Sequence, residues 1–192
     1  QNGNAFAVLA KTDRNSKPAY RGISCFIVEK PADGLAVAQK FDKLGYRGVD
    51  TCELVFRRCR VSVDNLVGGE EGRGLGQALS GLEGGRINIA ARAVGVATAA
   101  FEAAMKYAQQ RKAFGKTISQ HQAIQLKLAD MATEIEAAEL LTLQAADLKN
   151  RGEKVTTESA YAKYYASEVS VRAATEAVQI FGGYGFTKDF PV

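Results

Sequence analysis

The spacing of the apolar residues changes once along the chain, at the glycine-rich residues 66–76. Before this segment, short apolar runs rich in β-branched and aromatic side chains alternate with turn-forming residues such as Pro18 and Gly34. No helical period separates these runs, so they predict an antiparallel barrel or sandwich. The predicted strands are 5–10, 22–28, 52–56 and 60–63.

From residue 75 the apolar residues recur every three or four positions, which is the period of an amphipathic helix. This period predicts three long helices, near residues 75–110, 119–150 and 157–180. The stripes predicted to face a common core are Leu79, Leu82, Arg86, Ile89, Ala93, Val96, Ala100, Ala103 and Tyr107 in the first helix, Ile124, Leu128, Met131, Ile135, Ala138, Thr142 and Ala145 in the second, and Ala160, Tyr164, Ser167, Val171, Ala174, Val178 and Phe181 in the third.

Polar residues and glycines mark the predicted helix ends. Glu158 lies in the first turn of the third helix, where a negative charge is favourable. Gly152 and Gly182 lie just past helix ends, where a left-handed backbone is expected. The candidate N-caps are Ser119 for the second helix and Thr156 or Thr157 for the third.

Long helices with stripes of this kind pack as antiparallel bundles, most often of four helices. We therefore expect an α+β chain, with an antiparallel β-barrel segment in residues 1–68 followed by three long helices of a four-helix bundle in residues 69–192. The glycines of residues 66–76 predict a flexible hinge between the two parts. Part of the second helix is too apolar to be covered by three helices, so a fourth helix or a partner subunit is expected there. The residues concerned are Leu140, Leu141, Leu143 and Leu148.

Composition and charge exclude several functional classes. The chain of 192 residues is 46% hydrophobic and 24% charged, which is ordinary for a folded globular domain. No uninterrupted apolar run approaches the roughly 20 residues of a membrane span. A net charge of +4 is too small to indicate nucleic-acid binding. Cys25, Cys52 and Cys59 lack paired spacing, so they predict free thiols in a reducing compartment.

Arg86 is the clearest anomaly in the helical pattern, because it falls on an inward stripe where an unpaired charge is costly. Two interpretations are open. Either Arg86 pairs with Glu83, three residues earlier on the same helix face, or it is held for an anionic or polar ligand. Gly84 and Gly85 would leave room for such a ligand.

Two further segments suit a phosphorylated ligand. Residues 111–116 place three cations around an aromatic residue and a glycine, which fits a diphosphate or a solvated loop between helices. The free N–H groups at the start of the following helix would add to a diphosphate site. Residues 179–185 contain three glycines, which let a backbone lie flat against a ligand or simply end the helix. His121, the only histidine, has no second ligand nearby in the sequence and predicts no metal site.

Taken in order, these motifs resemble the acyl-CoA dehydrogenase family. In the second half of the chain, the resemblance is carried by residues 83–95, 111–124 and 179–191. In the first half, residues 2–3, 10–13, 22–29 and 43–47 are similar to the family's middle β domain. The resemblance covers nearly the whole chain.

The resemblance implies a flavoenzyme that binds FAD and a short- or branched-chain acyl-CoA. In that family a glutamate removes the α proton of the thioester, the β hydrogen leaves as hydride to flavin N5, and a trans-2-enoyl-CoA is formed. The electrons then pass to an electron-transfer flavoprotein. The family forms homotetramers or dimers in which a neighbouring subunit completes each FAD site. Such an enzyme is expected in the cytoplasm of a bacterium or in the mitochondrial matrix of a eukaryote.

Roles for individual residues are also implied by the resemblance. Arg111 and Phe114 match residues that contact FAD across a subunit interface, and Gln122 matches an FAD-contacting glutamine. The stretch whose backbone lies along the ADP part of FAD is matched by Gln179, Ile180, Phe181, Gly182 and Gly183. The segment near the acyl-CoA is matched by Glu83, Gly84, Gly85 and Arg86, which favours the ligand-binding interpretation of Arg86.

The chain departs from the family pattern at both ends. It begins at Gln1 without the family's N-terminal helical domain and stops before the last bundle helix, so we expect an incomplete part of a longer protein. Most of the family carries the catalytic glutamate after that helix, and some branches carry it at the position of Gly85, which cannot accept a proton. We therefore expect the base to lie beyond Val192. An acyl-CoA oxidase-type flavoenzyme and a non-catalytic assembly module remain as alternatives.

Overall fold

A computed structural model describes residues 3–192 and shows β-strands followed by long helices. The elements are β1 (Ala5–Lys11), β2 (Ile23–Glu29), β3 (Leu35–Lys40), β4 (Cys52–Phe56), α1 (Gly74–Gln110), β5 (Lys112–Ala113), β6 (Lys116–Thr117), α2 (Gln122–Asn150) and α3 (Thr156–Phe181). Asn2, which contributes to the family resemblance, lies outside the described residues, as does Gln1. The chain forms two units, one ending at Ser80 and the other beginning at Gly81, both inside α1.

The strands form antiparallel pairs, as predicted. β1 pairs with β2 from Ala5 opposite Glu29 to Lys11 opposite Ile23. β3 pairs with β4 in a second two-stranded sheet. The three cysteines are free thiols in this structure.

Two details of the strand prediction are wrong. The prediction omits β3, because alanines separate its larger apolar residues and alanine is a poor strand former. Residues 60–63 do not form a strand, because the chain turns into a 3-10 helix at Val63–Asn65. The hydroxyl of Ser62 caps that turn by accepting a hydrogen bond from the backbone N–H of Asp64.

The predicted hinge, residues 66–76, is tied to β2 instead of being loose. The backbone N–H of Gly72 donates a hydrogen bond to the fully buried hydroxyl of Ser24, at 2.9 Å. Gly74 packs so tightly on β2 that a Cβ there would lie 2.6 Å from the carbonyl carbon of Ser24. The glycines in this segment therefore allow close backbone packing as well as turns.

Alanine makes up most of the core of the helical unit. The fully buried alanines are Ala90, Ala97, Ala104 and Ala108 in α1, Ala138 and Ala145 in α2, and Ala162, Ala166 and Ala177 in α3. Short side chains let the helix backbones approach closely. The larger Met131, Val169 and Phe181 fill the remaining space.

The predicted inward stripe is confirmed for α2 and only in part for the other two helices, where Ala93 of α1 and Phe181 of α3 are buried in the core. In α2 the buried residues are Met131, Ile135, Ala138, Thr142 and Ala145. In α1 the side chains of Leu79, Leu82, Ile89 and Val96 are 39–54% exposed, and in α3 Tyr164 and Val171 are also exposed. Both helices have two apolar faces, and the face with the smaller residues forms the core.

The exposed apolar surface on α2 agrees with the prediction, since Leu140 and Leu143 are more than half exposed. By length and composition α1 could also cross a membrane, although core helices of soluble proteins pass the same test. The alanine face of α1 is buried in the bundle core.

Contacts at both ends of the bundle set the directions of the helices. Glu83 in α1 accepts a hydrogen bond from the hydroxyl of Thr156 at the start of α3, and it lies 3.9 Å from the ammonium group of Lys149 near the end of α2. At the opposite end, the ring of Tyr107 in α1 stacks on Phe181 in α3 with centroids 4.2 Å apart. α1 and α3 are therefore parallel, and α2 is antiparallel to both.

The glycines at the helix ends behave as predicted, but the caps do not. Gly152 and Gly182 have positive φ values of 77° and 60°. The predicted cap Ser119 lies in a 3-10 turn, and His121 precedes α2 instead. α3 follows Val155 and has no side-chain cap, and the hydroxyl of Thr156 donates a hydrogen bond to Glu83.

The contact between Gly74 and β2 predicts a cost for any side chain at that position. Gly74→Ala should lower the free energy of unfolding by about 2 kcal/mol, because the methyl group would overlap the backbone of Ser24. Gly76→Ala is the matched control. A Cβ there meets no atom within 4 Å, so stability should rise by about 0.5–1 kcal/mol. Urea denaturation measures both, and equal effects would contradict the packing described.

The contacts of Glu83 predict that it stabilises one end of the bundle. Glu83→Ala should lower the free energy of unfolding by about 1 kcal/mol, because Thr156 and Lys149 lose their partner. Glu102→Ala, on an exposed part of the same helix, should change it by less than about 0.5 kcal/mol. Thermal and urea unfolding compare the two variants, and indistinguishable stabilities would show that the Glu83 contacts do not hold the bundle.

Candidate functional site

A pocket of about 440 Å³ lies where the C-terminal ends of α1 and α3 meet, and we call it the Arg111 pocket. Five of the residues assigned to FAD by resemblance line it: Arg111, Ile180, Phe181, Gly182 and Gly183. The other lining residues are Tyr107, Ile118, Tyr184 and Thr187. Two segments far apart in the sequence are thus brought together.

A short hairpin places one wall of the pocket. After α1 the chain forms β5 and β6, and the backbone N–H of Ile118 then donates to the carbonyl of Arg111 at 2.8 Å. The tight turn between the strands uses Phe114 and Gly115, which both have positive φ values. The hairpin therefore holds Arg111 and Ile118 side by side at the pocket.

The opposite wall is the turn that ends α3. A Cβ on Gly185 would lie 2.5 Å from the carbonyl oxygen of Val178, so the turn folds closely against the helix. A Cβ on Gly182 or Gly183 would meet no atom within 4 Å. Their backbone thus borders open space that a side chain would partly fill, and a ligand can approach it.

The aromatic side chains of Tyr107, Phe181 and Tyr184 line the pocket and form its floor, and Phe190 packs against them. The ring of Phe190 lies 5.5 Å from that of Phe181 and 5.0 Å from that of Tyr184, measured between centroids. Phe181 in turn stacks on Tyr107. These contacts join the end of α1 to the end of α3 and provide flat apolar surfaces beside the glycines.

Arg111 supplies the positive charge of the pocket. Its guanidinium carbon lies 5.7 Å from the centroid of the Tyr184 ring. Within residues 3–192 no carboxylate forms an ion pair with it, so its charge is available to an anionic ligand. An arginine beside open glycine backbone suits a phosphate group.

Three of the assigned FAD residues do not line this pocket. Phe114 lies at the hairpin tip, where its side chain is 97% exposed. Gln122 is the first residue of α2, and Gln179 lies in the last turn of α3; both are exposed. His121 Nε2 lies 3.2 Å from the carbonyl oxygen of Ala113 and so contacts the hairpin.

The assigned acyl-CoA segment lies at the other end of α1. Glu83 is bound to Thr156 and Lys149, so the hypothesis that it pairs with Arg86 is wrong. Arg86 is half-buried and makes no hydrogen bond or ion pair in the described chain. It is roughly 37 Å from Arg111 along the helix axis, too far to share one pocket.

Sequence reasoning missed Tyr107 and Tyr184 as site residues. Tyr107 lies one helical turn before Arg111, and Tyr184 lies between Gly183 and Gly185. Arg111 could have indicated Tyr107, because residues four apart on a helix share a face. The flanking glycines could have indicated Tyr184, because an aromatic residue among glycines is well exposed.

Comparisons with known proteins agree across both units. Residues 3–59 match the family "Acyl-CoA dehydrogenase, middle domain", and residues 72–192 match "Acyl-CoA dehydrogenase, C-terminal domain". An acyl-CoA dehydrogenase of Bacillus subtilis is 52% identical over 171 residues, which are 89% of this chain and 45% of that protein. The chain spans about half the length of the curated relatives it matches.

Solved structures show the same similarity. Butyryl-CoA dehydrogenase from Megasphaera elsdenii is 43% identical with a TM-score of 0.93, covering 98% of this chain and 49% of that chain. A structure described as the electron transferring flavoprotein of Acidaminococcus fermentans contains a chain that is 45% identical with a TM-score of 0.94, covering 100% of this chain and 50% of that one. The chain therefore belongs to the acyl-CoA dehydrogenases, a family of flavoprotein oxidoreductases.

Proposed function

We propose that the chain supplies FAD and acyl-CoA contacts to an enzyme that oxidises a short- or branched-chain acyl-CoA to the trans-2-enoyl-CoA. The observation that carries the proposal is the Arg111 pocket, which joins a cation without a carboxylate partner in residues 3–192, open glycine backbone and an aromatic floor. The name of the butyryl-CoA dehydrogenase relative supports the substrate class.

The pocket fits the ADP part of FAD. We assign the pyrophosphate to Arg111, whose guanidinium can donate two parallel hydrogen bonds to phosphate oxygens. Gly182 and Gly183 leave the room that the nucleotide needs against the backbone. The aromatic floor offers surfaces on which a flat ring can pack.

Two copies of the chain are required in this proposal. Because Arg111 and Arg86 are roughly 37 Å apart on one helix, we assign them to the sites of different subunits. Phe114 and Gln122 would contact the cofactor from the same side as Arg111, consistent with their exposure on a single copy. The exposed apolar faces of α1 and α3 would then be covered by other parts of a homo-oligomer.

At the acyl-CoA end, the residues of this chain bind and orient the thioester. Arg86 has no ion-pair partner among the described residues and follows Gly84 and Gly85, where a Cβ would meet no atom within 4 Å. Such a cation suits an anionic or carbonyl group of the substrate. When bound, FAD would supply an acceptor for the β hydrogen as hydride.

We further assign an electron-transfer flavoprotein as the electron acceptor, which the similarity to a chain in the Acidaminococcus fermentans structure supports.

The test of activity uses the full-length protein with butyryl-CoA or 2-methylbutyryl-CoA and a dye acceptor. Bleaching of the flavin absorbance and reduction of the dye support the dehydrogenase. Release of hydrogen peroxide without the dye would indicate an oxidase, and no flavin reduction with either substrate would overturn the assignment.

The Arg111 pocket makes a prediction for cofactor affinity. Arg111→Ala should weaken FAD binding by about 10- to 100-fold, since a charge-assisted hydrogen bond to the pyrophosphate is lost. Arg151→Ala is the matched control, because Arg151 lies at the far end of α2 and pairs only with Asp147 on the surface. Fluorescence titration of the full-length protein with FAD gives both affinities. Equal affinities would remove Arg111 from the site.

A second variant tests the glycine wall without altering charge. Gly183→Val should weaken FAD binding by about tenfold, because the new side chain occupies space that the nucleotide needs. Gly95→Val places the same side chain on an exposed part of α1 and should leave affinity unchanged. Unchanged affinity in the Gly183 variant would contradict the assigned path of the nucleotide.

A further inference from the structure

Arg111 and Tyr184 form a cation–π pair in the lining of the Arg111 pocket. The guanidinium carbon lies 5.7 Å from the centroid of the Tyr184 ring, and both residues line the pocket. Arginine has a long side chain with many rotamers, so an arginine with no fixed partner loses much entropy when it binds a ligand. No ion pair in the described chain restrains Arg111. The electron-rich face of the Tyr184 ring attracts its positive charge instead.

The backbone around Tyr184 is held rigidly. Its carbonyl oxygen accepts two hydrogen bonds from Thr187, one from the backbone N–H at 3.1 Å and one from the hydroxyl at 3.0 Å. The following Gly185 packs on the carbonyl of Val178 so closely that no side chain fits there. The turn that follows Tyr184 therefore fixes the position of its backbone.

The ring of Tyr184 is restrained as well. Its centroid lies 5.0 Å from that of Phe190, which also contacts Phe181 and Tyr107. These rings belong to the packed ends of α1 and α3. A ring that packs on Phe190 thus also lies under the guanidinium of Arg111.

We propose that Tyr184 is a positioning residue that holds the guanidinium of Arg111 ready for the pyrophosphate of FAD. The part that concerns FAD rests on the proposed function, whereas the pairing of ring and cation does not. Tyr184 acts through its ring face, which orders Arg111 before the ligand arrives. Binding then loses less side-chain entropy than it would with an unrestrained arginine.

The first test is a set of single variants of the full-length protein, with FAD affinity as the readout. Tyr184→Leu should weaken FAD binding about three- to fivefold, the loss expected for an exposed cation–π pair. Tyr184→Phe keeps the ring and should retain the original affinity. Tyr20→Leu, at a tyrosine of the first unit that is as exposed as Tyr184, should also have no effect. A Tyr184→Phe variant as weak as Tyr184→Leu would overturn the proposal, because the hydroxyl would then be the active group.

The second test is a double-mutant cycle that separates positioning from general stability. If Tyr184 acts through Arg111, then Tyr184→Leu should cause no further loss of FAD affinity in the Arg111→Ala background. An equal loss in both backgrounds would show that Tyr184 acts independently and would overturn the proposal. If Arg111→Ala alone leaves the affinity unchanged, the proposed FAD site fails, and the pairing is judged by the third test.

The third test needs neither a ligand nor a destabilising variant. In NMR spectra of the unsubstituted protein, side-chain protons of Arg111 should resonate upfield of their random-coil positions, because they lie over an aromatic ring. Tyr184→Phe should preserve the upfield shift. Random-coil positions for Arg111 in the unsubstituted protein would overturn the pairing itself.

Discussion

The close packing of α1, α2 and α3 through alanine is the constraint on which the rest of the helical unit depends. Because fully buried alanines line all three helices, their backbones approach closely and small changes in register would create overlaps. The register brings Tyr107 against Phe181 at one end and Glu83 against Thr156 at the other. The Arg111 pocket exists because two helices end at the same height, and a core of larger side chains would separate those ends.

The candidate binding residues of the helical unit lie at its two ends. One end carries Arg111 beside exposed glycine backbone, and the other carries the unpaired Arg86 beside two glycines. In both places the cation has no carboxylate partner within residues 3–192 and adjoins backbone that lacks side chains, which is an arrangement suited to an anionic ligand. The length of α1 separates the two sites, so the proposed active centre requires assembly of subunits.

Part of this fold is predictable from the amino-acid sequence. The stripe of α2 is predicted correctly because that helix has one inward face, marked by Met131 and Ile135. The stripes of α1 and α3 are predicted correctly only in part, because leucine and valine on the outer faces give a stronger hydrophobic signal than the alanines of the core. The caps are predicted wrongly because hydrogen-bond partners from other helices, such as Glu83 for Thr156, cannot be seen in a local sequence window.

The candidate site divides in the same way. Arg111 and the glycines after α3 stand out as local motifs, so the amino-acid sequence alone is enough to single them out. Tyr107 and Tyr184 do not stand out in this way, because their role comes from packing between segments that are distant in the sequence.

A structure of the full-length protein with FAD bound tests the central claim most directly. The account predicts the pyrophosphate within hydrogen-bond distance of Arg111 and the ADP part along Gly182 and Gly183. FAD bound with its phosphates remote from Arg111 would contradict it.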